Sequence, residues 1–223
     1  DAYQWCVLYY KEDFEPHKIR GIQLLDLRNL SRQQEIVTNM YVEAKLQFHT
    51  ILDQVFPEYR KVFGDLYSKV SLLMLKEYPT SEAVLTAGES RLAERVIEFC
   101  SSRSGEWAWE KAKKIMDSAS RNPFQKSVYE SHVINLRMYI ELLFHYQGHL
   151  SDLEDRIVAL ANEMEEYKII QSIPGIGEKI AATIISEIGE IDRFSHPKKL
   201  LAFAALDYNV QFINQEILLP QPG

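Results

Sequence analysis

The sequence predicts an all-α protein: long antiparallel coiled-coil helices, a small helical cluster between them and a C-terminal helix-hairpin-helix. Three observations predict it. Apolar residues recur in steps of three and four over two long stretches, the period of a helix face rather than of a strand. Between those stretches, Pro, Gly and capping residues cut the chain into short amphipathic runs, each the length of an ordinary helix. Near the end a Pro-Gly-Ile-Gly turn separates two further helical patterns.

Composition sets the outer limits. The chain has 223 residues, 46% of them apolar, which is enough for one large or two modest cores. No apolar run approaches the length of a membrane span and no secretory signal pattern is present, so a membrane partner is not expected. Cys6 and Cys100 lie far apart without companions at metal-ligand spacing, a usage that fits a reducing cytosol. The formal charge is −7. Duplex affinity comes largely from Lys and Arg at phosphates, so any nucleic-acid surface must be local or completed by another subunit or segment.

Residues 21–56 read as the first coiled-coil helix. Leu27, Leu30, Gln34, Val37, Tyr41, Ala44, Phe48, Ile51 and Val55 form a heptad seam with Gln34 as its one polar member. Pro57 ends it. At ~1.5 Å per residue the Leu27–Val55 seam spans about 43 Å, more than a small core can cover. Residues 57–123 read as the helical cluster. Phe63 to Leu75 is amphipathic and stops near Pro79; Thr80 or Ser81 caps the next helix, with Glu82 in its first turn and Gly88 near its end. Leu92, Val96, Ile97 and Phe99 make another apolar face. A Ser/Gly loop at 101–105 leads into Trp107 to Met116, where Lys111, Lys113 and Lys114 cluster. A solvated face is the plainer reading of those lysines, phosphate contact the sharper one. Asn122-Pro123 breaks the pattern.

Residues 124–168 read as the second coiled-coil helix, with Tyr139, Leu143, Tyr146, Leu150, Leu153, Ile157, Leu160, Met164 and Tyr167 on its seam. Two such seams pair with each other as an antiparallel coiled coil, assemble a dimer, or pack as an ordinary bundle. Residues 169–207 carry the hairpin. Gly175 and Gly177 bracket Ile176 just before a helical run that opens with Glu178 and Lys179. Backbone N–H groups at the start of that helix, with its positive end, make a ready anion site. In DNA-binding proteins the anion is a backbone phosphate, contacted without reading sequence. The glycines keep side chains out of the turn and out of the phosphate's approach. A dinucleotide fingerprint is excluded because no strand precedes the turn and the third glycine is missing; a Walker A loop is excluded because Glu178-Lys179 stands where Gly-Lys-Ser/Thr is required. A plain glycine turn between packed helices is the competing reading.

An intact enzyme site does not emerge. His145 and His149 are four apart but lack the adjacent Glu of a zinc-hydrolase helix. Asp152, Glu154, Asp155, Glu163, Glu165 and Glu166 spread around a coil surface rather than converge, and no serine sits in a nucleophile elbow.

Phe63-Gly-Asp-Leu-Tyr-Ser-Lys-Val, followed by Leu75-Lys-Glu-Tyr-Pro-Thr, resembles the middle of DEDD-type insertion-sequence transposases, the insertion-sequence one-hundred-and-ten family. So do Ile173-Pro-Gly-Ile-Gly through Ile191-Asp-Arg-Phe, and Lys199-Leu-Leu-Ala-Phe-Ala-Ala-Leu-Asp. The resemblance covers nearly the whole chain up to Asp207. It implies an N-terminal RuvC-like domain with acidic Mg²⁺ ligands, a coiled coil and a C-terminal transposase domain with a serine nucleophile. It also implies DNA cleavage and rejoining by an assembled oligomer in the bacterial cytoplasm, with a guide RNA in some members.

Two departures follow. Asp1-Ala2-Tyr3 is similar to the close of the family's acidic tetrad, so the resemblance makes Asp1 a Mg²⁺ ligand and residues 1–20 the remnant of the RuvC-like domain. The other three carboxylates are missing, and one carboxylate cannot hold a catalytic Mg²⁺; the chain is therefore expected to bind none and to begin inside its parent. After Asp207 the family continues toward a Gln-Ser-Gly that carries the nucleophile, whereas residues 208–223 contain no Ser. A shifted reading frame is the expected cause, because codons permitted from Tyr208 onward can spell a Gln-Ser-Gly in another frame. The expected function is thus that of a transposase fragment, catalytically incomplete, which binds DNA backbone through Gly175, Ile176, Gly177, Glu178 and Lys179. The alternative is a non-catalytic helical scaffold whose hairpin packs against protein and whose seams dimerise.

Overall fold

The computed structural model describes residues 21–123, 130–189, 194–196, 199–200 and 203. Every regular element among them is helical: α1 Ile22–Val55, a 3₁₀ turn Pro57–Lys61, α2 Lys69–Glu77, α3 Ser81–Ala87, α4 Glu89–Phe99, α5 Gly105–Arg121, α6 Glu130–Asn162, α7 Glu165–Gln171 and α8 Glu178–Ile188. None of these helices is long and apolar enough to cross a membrane. The chain divides into two compact units, one of residues 1–32 and 154–223 and the other of residues 33–153.

The larger unit, 33–153, holds the helical cluster. Its core gathers Phe48, Leu52 and Val55 of α1, Leu72 and Leu75 of α2, Leu92 and Val96 of α4, Ile115 of α5 and Leu136, Ile140 and Leu143 of α6. Burying one such side chain contributes about 1.5–3 kcal/mol. Tyr59 of the 3₁₀ turn is 1% exposed, and its hydroxyl donates to the carbonyl oxygen of Ser71 at 2.8 Å, which ties the turn to α2. Asn122 caps the far end of α5 and is buried; its amide donates to Ser81 Oγ at 3.1 Å and to the Val55 carbonyl at 3.4 Å. Seam residues of the two long helices meet here. The rings of Tyr41 and Tyr146 lie 6.5 Å apart, and Gln147 Nε2 donates to the Tyr41 hydroxyl at 2.9 Å.

Several boundaries differ from the sequence expectation, each for a local reason. Helix α2 begins at Lys69 rather than near Phe63, because Asp65 captures the preceding turn. Its carboxylate accepts from the Tyr67 amide at 2.9 Å and its carbonyl from Ser68 Oγ at 2.8 Å, an Asx-type turn that competes with helix. Thr80, not Ser81, is the cap of α3: its side chain accepts from the Ala83 amide at 3.2 Å. Helix α5 extends beyond 107–116 at both ends and opens on Ser104, which accepts from the Trp107 amide at 3.2 Å.

The smaller unit packs Leu24 and Leu27 of α1 with Ile157 and Ala161 of α6, Tyr167 of α7 and Ala181, Ala182 and Ile185 of α8. The second long helix does not run on to residue 168 as the seam suggested. It stops at Asn162, and α7 starts anew at Glu165 with Met164 in extended backbone as its N-cap. No Pro or Gly marks the break; Glu165 and Glu166 in the first turn of α7 favour a helix start there. The break leaves Tyr167 fully buried in the same core as the two alanines of α8.

Candidate nucleic-acid interface

The hairpin is α7, a six-residue connection and α8. The Ile176 amide donates to the Ile173 carbonyl at 3.1 Å, so Ile173-Pro174-Gly175-Ile176 closes a β-turn. Pro174 occupies the position where a fixed φ is preferred, and Gly175 has φ +89°; this is a type II turn, whose third residue must adopt left-handed φ. A Cβ at Gly175 would meet open space. Backbone conformation, not crowding, demands glycine there.

Gly177 is different. It is the N-cap of α8 with φ −83° and ψ 174°, extended backbone open to any residue, and a Cβ on it would also meet nothing. The fold itself places no demand for glycine at 177. Its carbonyl accepts the first helical bond, from Ala181 at 3.0 Å, so the amides before Ala181 precede the intrahelical ladder. No side chain caps them, and Gly177, Glu178, Lys179 and Ile180 are exposed. Uncapped, solvent-facing amides at a positive helix end are competent to bind an anion.

The charges around this end are mixed. Lys179 Nζ is 4.0 Å from Glu154 Oε2, and both side chains are exposed, so the pair is weak. Glu178 stands in the first turn of α8 and supplies a negative charge of its own to the positive helix end. Apolar Ile169, Ile173 and Ile180 are half-exposed or more around the turn, while Ile176 packs against the core.

Two supports of the hairpin go unassigned in the sequence, where Tyr167 is only a seam residue. Arg28 of α1 donates from Nε to the Ser186 carbonyl at 2.8 Å and from Nη2 to the Glu187 carbonyl, closing the C-terminal end of α8. Helix α8 has no basic residue in its own last turn, which is the one hint that a distant cation serves it. Tyr167 lies beneath the hairpin with its hydroxyl buried and without a hydrogen-bond partner; burial, then the Glu178 charge, holds its pKa above the ordinary tyrosine value.

Of the sequence-predicted site residues, the structure brings Gly175, Ile176, Gly177, Glu178 and Lys179 together at one turn and helix start. Asp1 lies outside the described residues, as does the tail 208–223. Among the described residues no group of three or more His, Cys, Asp or Glu stands together as a metal site, and His145 and His149 are both exposed.

Comparison with known proteins places similarity on this part of the chain. Residues 167–211 match the model of the transposase IS116/IS110/IS902 family, a span that opens on Tyr167 and contains the whole turn and α8. The Phe63–Thr80 stretch lies outside it. A transposase for insertion sequence element IS1111A from Coxiella burnetii (strain RSA 493 / Nine Mile phase I) is 33% identical over 69 residues, 31% of this chain. The match spans only 19% of that curated relative's length. No solved structure matches. The hairpin and its flanks are thus similar in sequence to transposases of the IS116/IS110/IS902 family.

Proposed function

We propose that this chain is part of a DNA transposase and that its hairpin holds the DNA backbone, with one phosphate against the amides of Gly177, Glu178 and Lys179. The observation that carries the reading is Gly177: a glycine that neither backbone conformation nor packing requires, at an uncapped helix start where a Cβ would stand between the amides and a phosphate. Similarity of residues 167–211 to a transposase family supports DNA as the anion's source. The chain positions DNA rather than completing strand transfer in this reading; Asp1, the one residue to which the resemblance assigns Mg²⁺, lies outside the described residues. Self-assembly through the α1 and α6 seams, and a guide RNA, are partners of the same reading.

Duplex binding that falls with salt and disappears on Gly175→Asp plus Gly177→Asp is the expected result. Recombination of a supercoiled plasmid by this chain alone in Mg²⁺ would contradict the division of labour. A second reading rests on Ile169, Ile173 and Ile180, whose exposure around the turn suits a hairpin that packs on protein. On that reading DNA binding is absent at every salt concentration and light scattering reports a dimer.

A further inference from the structure

The larger unit contains a cavity of about 300 Å³ between the Phe63–Val70 segment and α5, its lining including Phe63, Asp65, Cys100, Arg103, Trp107 and Lys111. That volume lies at the small end of ligand pockets, about 300–1,000 Å³. Its lining holds two cations, Arg103 and Lys111, against one carboxylate, Asp65. The Arg103 guanidinium lies 5.7 Å and the Lys111 ammonium 5.8 Å from the same Trp107 ring, and Lys111 is also 5.9 Å from the Phe63 ring.

Neither cation has a carboxylate within ion-pair distance among the described residues. Lys111 has only a long contact, 3.5 Å, to the Val62 carbonyl, beyond the usual 2.7–3.2 Å of such bonds. The one carboxylate in the wall, Asp65, already accepts from the Tyr67 amide. Two cations beside a half-buried indole in a concave site form the pairing that binds a flat aromatic ring carrying a phosphate.

We infer that this cavity takes one nucleotide unit, its base against Trp107 and its phosphate against Arg103 and Lys111. It is separate from the hairpin and stands or falls without it. A free mononucleotide and one residue of a single strand share this chemistry.

The test uses the full chain carrying Trp5→Phe and Trp109→Phe, so that Trp107 is the sole fluorophore of the original three tryptophans. It is titrated with thymidine monophosphate and, separately, with a short oligothymidylate. Quenching of Trp107 emission by either ligand is expected. Quenching by the oligomer alone assigns the site to single strands, and equal quenching at equal nucleotide concentration assigns it to free nucleotide. Arg103→Gln and Lys111→Gln, each retaining wild-type circular dichroism, should weaken the half-saturation point by ~fivefold or more. Absence of quenching by both ligands, or half-saturation unmoved in both Gln variants, overturns the assignment.

Discussion

Arg28 Nε lies 2.8 Å from the carbonyl oxygen of Ser186 and donates to it across 158 positions of sequence. The same guanidinium bonds the Glu187 carbonyl, and its side chain is 17% exposed. Helix α8 therefore has its last carbonyls satisfied by a cation from α1, which also complements the negative end of the helix. Arg28→Met should destabilise the smaller unit by about 1.5–3 kcal/mol, the range for hydrogen bonds from a charged donor. Amide hydrogen exchange read helix by helix checks it: α8 protection falls most. Equal protection in variant and wild type would remove Arg28 from the account.

The two turn glycines have separable costs. Gly175→Ala forces a side chain into φ +89° and should cost about 1–2 kcal/mol. Gly177→Ala meets neither strain nor contact, so urea unfolding should shift by less than ~0.5 kcal/mol. Opposite ranking in urea melts would refute the division between turn and approach.

Glu178 works against an anion at the helix start. Glu178→Gln should raise duplex affinity by about 2–5-fold at low salt, corresponding to ~0.3–1 kcal/mol of helix-end electrostatics. Fluorescence anisotropy across a salt series measures it, and the gain should shrink as salt screens the charge.

Tyr59 gives the larger unit an alkaline limit. Burial raises its pKa far above the ordinary value near 10. Because the fold holds the neutral phenol, the stabilisation is complete below the unfolded pKa of ~10 and is lost as pH rises toward the folded value. Urea unfolding between pH 9 and 11 should show a downturn above pH ~10 that is shallower in Tyr59→Phe. That variant also loses about 1 kcal/mol at neutral pH with its hydrogen bond.

Much of this was legible in the sequence. All nine positions of the first seam, from Leu27 to Val55, are buried or half-buried, because a three-four period of apolar residues leaves a long helix one face to cover. The Pro-Gly-Ile-Gly turn was also legible, since Pro and Gly restrict φ in ways that depend on little else. The Asn162–Glu165 break was not: no breaker residue marks it, and it accompanies the burial of Tyr167 in one core with Leu24, Leu27, Ala181 and Ala182, packing that spacing within the helix does not show. Ile140 is fully buried although the seam had run through Tyr139, because it joins the core that holds Leu72 and Leu75 of α2. Arg28 could not be found by spacing at all, as its partners are carbonyls rather than side chains.

The central claim is that a phosphate sits on the amides at Gly177. Gly177→Asp tests it most directly, because Asp is a favoured N-cap and cannot weaken α8, yet its carboxylate occupies the anion's place. Duplex binding at low salt, measured beside thermal melting, should fall at least ~tenfold with no loss of stability. Unchanged affinity in a variant that melts at or above the wild-type temperature would contradict it.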